Sequence, residues 1–495
     1  MIQKFSLLVL AVVISCAAFA QDKKAIKTSK TITKEDLYAR LEVLTSDSLE
    51  GRETATEGQR KAAAFIAGQF KQYGLQPIVP EADSKSYFQR FPLQKSQWTD
   101  VYVRAGGTKL ENGTDMLYFG AASTAEEVTA EVVFIGDLAQ AAGVIQSGAF
   151  KNKIVAVRAE DGRSWRAISM QFADADIKGF VVFGGESDTQ FKAAVDRYKN
   201  YITASRLGLS SEGRSSSEGP FVFIVSPDAA KAVFGSPVDE LMKSAAGPEA
   251  PKASISFKAE RTTEEVMTEN VLGFLEGTDK KAEVLVVTAH YDHLGKRDGV
   301  IYHGADDDGS GTSAVLEIAQ AFSEAKKKGN GPRRSILFMT VTGEEKGLLG
   351  SEYYTDHPAL PLSQTVVNLN IDMIGRVDDA HLDNENYIYV IGSDKLSQDL
   401  HLLSEKANKD YTNLALDYTY NDENDPNRFY YRSDHYNFAK NNVPIIFYFN
   451  GVHADYHRPT DTIEKIAFDK MTAITKLVFF TAWEVANREE RIRLD

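Results

Sequence analysis

The stretch EVLVVTAHYDHLG, residues 283–295, decides the fold. Residues 284–288 are β-branched or aliphatic throughout, as in a strand of a parallel sheet covered on both faces. The run leads directly into His290 and Asp292. Ligands of open α/β sheets gather beyond the carboxyl ends of such strands. If the strand persists, Asp292 shares the side of His290 and can accept a hydrogen bond from its imidazole. His293 then points the other way and reads as structural.

Working outward, strands and helices alternate from Asn270 to the end of the chain. Strands are expected at 283–289, 335–341, 365–371, 387–391 and 444–449, with helices at 312–325, 349–355, 396–407 and 468–486. The fold class is therefore α/β, a mixed and mostly parallel sheet with helices on both faces. Upstream, 34–44 and 57–73 read as amphipathic helices, and Gly74 as a stop. They belong with the sheet, as the first part (34–95) of a domain completed by 260–495. The segment 100–255 has another texture. Short strand-like runs (129–135, 153–157, 180–183, 221–225) alternate with loops rich in Gly, Ser and Asp, of which 210–218 is polar enough to be mobile. It is a smaller, β-rich inserted domain.

Composition narrows the function. At 495 residues two domains are expected, and 43% hydrophobic residues is ordinary for globular protein. A formal net charge of −14 argues against a nucleic-acid partner. Residues 1–20 form a signal peptide: Lys4, an apolar stretch too short to span a bilayer, and Ala18-Phe19-Ala20 before Gln21. The mature chain is thus expected to be exported, periplasmic or secreted, and not transmembrane. Cys16, the single cysteine, leaves open a lipid anchor in place of cleavage after Ala20.

Four further stretches carry chemistry: GADDDGSG (304–311), TGEE (342–345), NLNIDMIG (368–375) and DYHRPTDT (455–462). A pair of divalent metals needs about five hard or borderline ligands, one shared, and a free carboxylate to take a proton from the attacking water. His290, Asp307, Glu345, Asp372 and His457 can be the ligands and Glu344 the base. Three acids at 306–308 exceed what capping a helix requires, and the central one suits a bridge. Glu344 and Glu345 project differently, so one can bind metal while the other faces water. Tyr456 can donate to a developing oxyanion.

The order HYDH, GADDDGSG, TGEE, a strand-closing Asp, then YH-x-x-x-DT resembles the co-catalytic zinc aminopeptidases of metallopeptidase family 28 over roughly 34–95 and 260–495. The family includes bacterial leucyl-type aminopeptidases and glutamate carboxypeptidase. The resemblance implies a phosphorylase/hydrolase-like fold and two zinc ions per chain. His290 and Asp372 would hold one and Glu345 and His457 the other, with Asp307 bridging. It also implies Glu344 as general base, Asp292 as the partner of His290, Tyr456 as oxyanion donor, and a cis peptide at Asp307–Asp308. The substrates would be peptides with a free N-terminus. KNKIVAVRAEDG (151–162) and IKGFVVFGG (177–185) resemble a protease-associated domain, and RSDH (432–435) a loop near the cleft. A carboxypeptidase or dipeptidase on the same core would need cations for the substrate carboxylate; Arg376, Arg428, Arg432 and Arg458 are the candidates. A glutaminyl cyclase uses one zinc, and a non-catalytic relative would lack ligands. The complete ligand set and Glu344 argue against both.

Overall fold

The computed structural model describes residues 21–137, 150–159, 176–210, 219–243 and 250–495, with Ile145 and Gly148. The expected leader (1–20), almost all of the polar loop 210–218 and the last residues of KNKIVAVRAEDG lie outside the described residues. The chain forms two compact units, one comprising residues up to Phe91 with Thr268–Asp495, the other Pro92–Met267. Among the described residues no helix is long and apolar enough to cross a membrane.

In the first unit the strand Lys280–His290 lies between Arg334–Val341 and Thr365–Ile371, parallel to both. Ile445–Phe449 continues the parallel set beyond Thr365–Ile371. Tyr387–Ile391 pairs antiparallel with it, and Val271–Leu275 pairs antiparallel with Arg334–Val341 on the other side. The unbroken apolar run at 284–289 follows from burial on both faces. Leu285, Val287 and Ala289 pack in the core shared with the helices Glu57–Tyr73, Gly311–Lys327 and Phe468–Asn487. Val284 and Val286 pack with Tyr354 and Phe438 on the opposite face. Each such side chain contributes about 1.5–3 kcal/mol when fully buried, so a one-residue slip of the strand is strongly disfavoured.

The helices end where their sequence says they should. Thr33 and Thr56 accept hydrogen bonds from the amides of Asp36 and Gln59 at the starts of Lys34–Leu44 and Glu57–Tyr73. Gly74, at φ 86°, closes the second in the left-handed conformation that glycine adopts without a Cβ penalty. The face of Ala62, Ala63, Ile66, Ala67, Phe70 and Tyr73 is buried.

The second unit carries a parallel set of strands of its own. Thr124–Asp137, Ile154–Ala159, Gly179–Gly184 and Phe221–Val225 run parallel, bordered by antiparallel Met116–Tyr118 and the 252–259 part of Lys252–Leu275. It also carries a helix, Asp188–Thr203, that the sequence pattern does not mark. Only Phe191, Val195 and Ile202 of that helix are buried, too sparse a stripe to declare itself.

Candidate metal centre

The chemistry-bearing residues converge at the carboxyl edge of the parallel strands. His290 ends Lys280–His290, and Asp372 directly follows Thr365–Ile371. Glu344 and Glu345 leave Arg334–Val341 through a turn, and His457 lies in the loop after Ile445–Phe449. Asp307 sits in the segment Ala305–Ser310 that feeds the helix Gly311–Lys327.

Within the triple aspartate the carboxylates are divided by their partners. Asp306 accepts from the amide of Gly375 at 2.6 Å and from Asn450 Nδ2 at 3.2 Å. Asp308 accepts from the amides of Gly311 and Met373, at 2.8 and 3.1 Å. Both tie the segment to neighbouring loops. Asp307 instead faces histidines, and the Asp307–Asp308 peptide is cis, as the resemblance implies.

The two oxygens of Asp307 belong to two donor groups. Oδ1 lies 3.3 Å from His290 Nε2, which is itself 3.6 Å from Asp372 Oδ1. Oδ2 lies 3.0 Å from His457 Nε2, which is 3.2 Å from Glu345 Oε2. His290 Nε2, Asp307 Oδ2 and Glu345 Oε1 are buried without a hydrogen-bond partner. Such orphans are costly and call for an explanation. Imidazole and carboxylate donors converging in this way fit divalent metals. Burial pushes Asp307 upward, yet the imidazoles of His290 and His457 beside it hold it well below the usual carboxylate range.

Two expectations need correction. His290 Nδ1 meets the backbone carbonyl of Asp292 at 3.0 Å, while the Asp292 carboxylate stays 3.8 Å away. That carboxylate is used elsewhere: it accepts from Thr54 Oγ1 at 2.6 Å and from the amide of Glu344 at 3.3 Å. His293 is not turned away. Its Nδ1 lies 2.9 Å from Glu345 Oε1 and 3.7 Å from Asp307 Oδ2. Strand alternation does not extend past His290, because the chain leaves the strand there.

Glu344, Asp307, Asp372, Tyr456 and His457 border one cleft. Burial, then the carboxylates of Asp372 and Glu345, push Glu344 well above the ordinary range, against the pull of His290. Tyr456 stacks on His457, with ring centroids 3.9 Å apart, and burial raises its phenol so that it stays protonated. Arg432 NH2 donates to Tyr456 Oη at 3.5 Å and borders the cleft. Arg376 is engaged with Asp455 at 2.8 Å. Opposite the carboxylates the wall is apolar, formed by Met373, Phe429, Phe447, Phe449 and Val452. The aromatic run 447–449 was the only sequence signal for it.

One residue essential to this geometry carries no motif. Arg52 is fully buried and donates to the carbonyls of Leu44, Tyr291, His303 and Gly304. Tyr291 lies between His290 and Asp292, and Gly304 begins GADDDGSG, so one guanidinium fixes both segments.

Residues 270–482 match Peptidase family M28. The match covers less than half of the chain, the part that carries the metal-binding candidates. It is 28% identical over 232 residues to Aminopeptidase YwaD of Bacillus subtilis, covering 45% of this chain and 46% of that one. It is 30% identical over 236 residues to a probable leucine aminopeptidase of Arthroderma otae, covering 46% and 61%. The chain thus spans about half the length of the curated relatives it matches. Its fold is that of an aminopeptidase from Aneurinibacillus sp. strain AM-1, with TM-score 0.58, 19% identity, and 95% and 98% of the two chains covered. A zinc aminopeptidase of Bacillus subtilis gives TM-score 0.51 at 19% identity, with 93% and 96% covered. The matched segment includes the candidate metal-binding residues at the strand ends described above.

Proposed function

We propose that the protein is an exported, zinc-dependent aminopeptidase that removes N-terminal residues from peptides. The observation that carries the reading is Asp307, whose two oxygens face separate, unsatisfied donor groups. The aminopeptidase relatives support the choice of substrate. His290, Asp372 and Asp307 would hold one zinc, and Glu345, His457 and Asp307 the other. When bound, the zinc pair lowers the pKa of a water and polarises the scissile carbonyl.

The chain's own groups supply the rest. Glu344 takes the proton of the attacking water and returns it to the departing amine. Its place on the cleft, between the Asp372 and Tyr456 side chains that also line it, suits that proton transfer. Tyr456 donates to the oxyanion, and Arg432 beside it adds positive charge. Asp292 orients the Glu344 turn through its amide. The apolar wall receives an aliphatic or aromatic first side chain.

The test is a panel of aminoacyl chromogenic substrates and their N-acetylated counterparts, with and without chelator, alongside Glu344→Gln. Chelator-sensitive cleavage of the free-amine substrates alone, abolished in the variant, is expected. Cleavage of the blocked substrates would move the reading to the carboxypeptidase branch.

A further inference from the structure

We infer that Arg432 captures a carboxylate one residue beyond the scissile bond, so that the preferred substrates are dipeptides with a free C-terminus. This deepens the aminopeptidase reading above and rests on it. Of the four arginines that the sequence offers for a substrate carboxylate, three are placed elsewhere. Arg376 pairs with Asp455 at 2.8 Å. Arg428 lies over the Tyr431 ring, 4.7 Å from its centroid, and borders a separate hollow with Asp422, Glu423 and Asp425. Arg458 does not line the cleft.

Arg432 does line it, and its side chain is exposed. Among the described residues its guanidinium is in no ion pair. It donates to Tyr456 Oη at 3.5 Å and lies 4.7 Å from the centre of the Phe429 ring. A guanidinium has more N–H donors than Tyr456 uses, set in a planar fork that matches a carboxylate. Among the described residues lining the cleft, Arg432 is the only arginine or lysine, and the acids there are Asp307, Glu344 and Asp372. The amine end of a zwitterionic peptide is drawn toward the acids and its carboxylate end toward Arg432, which sets the direction in which a short peptide lies.

Reach selects the length of the substrate. In the proposed mechanism Tyr456 donates to the oxyanion, so the reacting carbonyl lies beside Arg432. The terminal carboxylate of a dipeptide is separated from the reacting carbon by one nitrogen and one Cα, about 3–4 Å through space. Each further residue of an extended chain carries that carboxylate about 3.3–3.6 Å farther out. A guanidinium held at Tyr456 therefore meets the carboxylate of a dipeptide and falls short of that of a longer peptide.

The experiment compares leucylglycine, leucylglycinamide and leucylglycylglycine on the zinc-loaded full chain, wild type and Arg432→Met. Wild type is expected to favour leucylglycine over each of the others by at least ~10-fold in kcat/KM, mainly through KM. Arg432→Met slows all three by removing charge near the oxyanion, but it is expected to bring leucylglycine and leucylglycinamide within about threefold of each other. In a Glu344→Gln background, where binding is read without turnover, calorimetry should show the same preference in Kd and its loss with Arg432→Met. No preference for leucylglycine in wild type, or a preference that survives Arg432→Met, would overturn the inference. No cleavage of any of the three by the wild type would instead overturn the aminopeptidase reading beneath it.

Discussion

Asp307 is set apart from Asp306 and Asp308 by what its oxygens lack: backbone amides hold its neighbours, while its own partners are imidazoles. Asp307→Asn keeps the volume and removes the charge shared by both donor groups. It is expected to lower bound zinc below one per chain and to reduce kcat/KM by at least ~10²-fold, measured by metal analysis and initial rates. Glu344→Gln should leave zinc content unchanged and lower kcat by about 10²–10⁴-fold, because it removes a proton acceptor and not a ligand. Glu344 stood out as an acid just beyond an apolar strand, and Asp307 as the centre of three acids where capping a helix needs fewer. His293 was misread because side-chain alternation was carried past the end of the strand. The backbone there bends, pinned by the carbonyls of Gly51 and Arg52 to the amides of Gly295 and His293. The Asp292 carboxylate went to Thr54 for the same reason of distant pairing.

At the scale of elements, the segment Asp47–Arg52 acts as a strap over the ends of the ligand-bearing segments. Its sequence looked like a polar link, since its partners are backbone groups far along the chain. Burial lowers the Arg52 guanidinium to about 10, so it remains charged at neutral pH. Arg52→Met would leave buried carbonyls unpaired, and a loss of roughly 3–5 kcal/mol in denaturant unfolding is expected. Lys470, in the closing helix, is a second buried cation. Its Nζ has no hydrogen-bond partner and sits 3.2 Å from the centre of the Tyr387 ring. Burial lowers it to about 7, against the pull of Asp306 and Asp378. In the unfolded chain it stays protonated up to about 10.4. The penalty is therefore complete below pH 7 and fades as pH rises toward the unfolded value. Lys470→Met should stabilise by roughly 2–5 kcal/mol at pH 6–7 and by little near pH 10, read from denaturant midpoints at each pH.

For the whole molecule, the parallel sheet was legible because βα alternation and doubly buried strands have a plain signature. The long antiparallel strands Phe88–Ala105 and Lys252–Leu275 were not, since their burial is interrupted by exposed polar stretches. The proposed ligands come from five separate segments of the first unit, so under this reading metal and fold are thermodynamically linked. Chelation should lower the melting temperature, and zinc at a hundredfold excess over Kd should restore about 2.7 kcal/mol per site. The most direct test of the central claim is the rate of leucyl chromogenic substrate hydrolysis as zinc is added to the metal-stripped protein. The rate is expected to be negligible without metal, to rise until two equivalents are bound, and to be absent throughout on the N-acetylated substrate. Full activity without metal, or cleavage of the blocked substrate at the same rate, would contradict it.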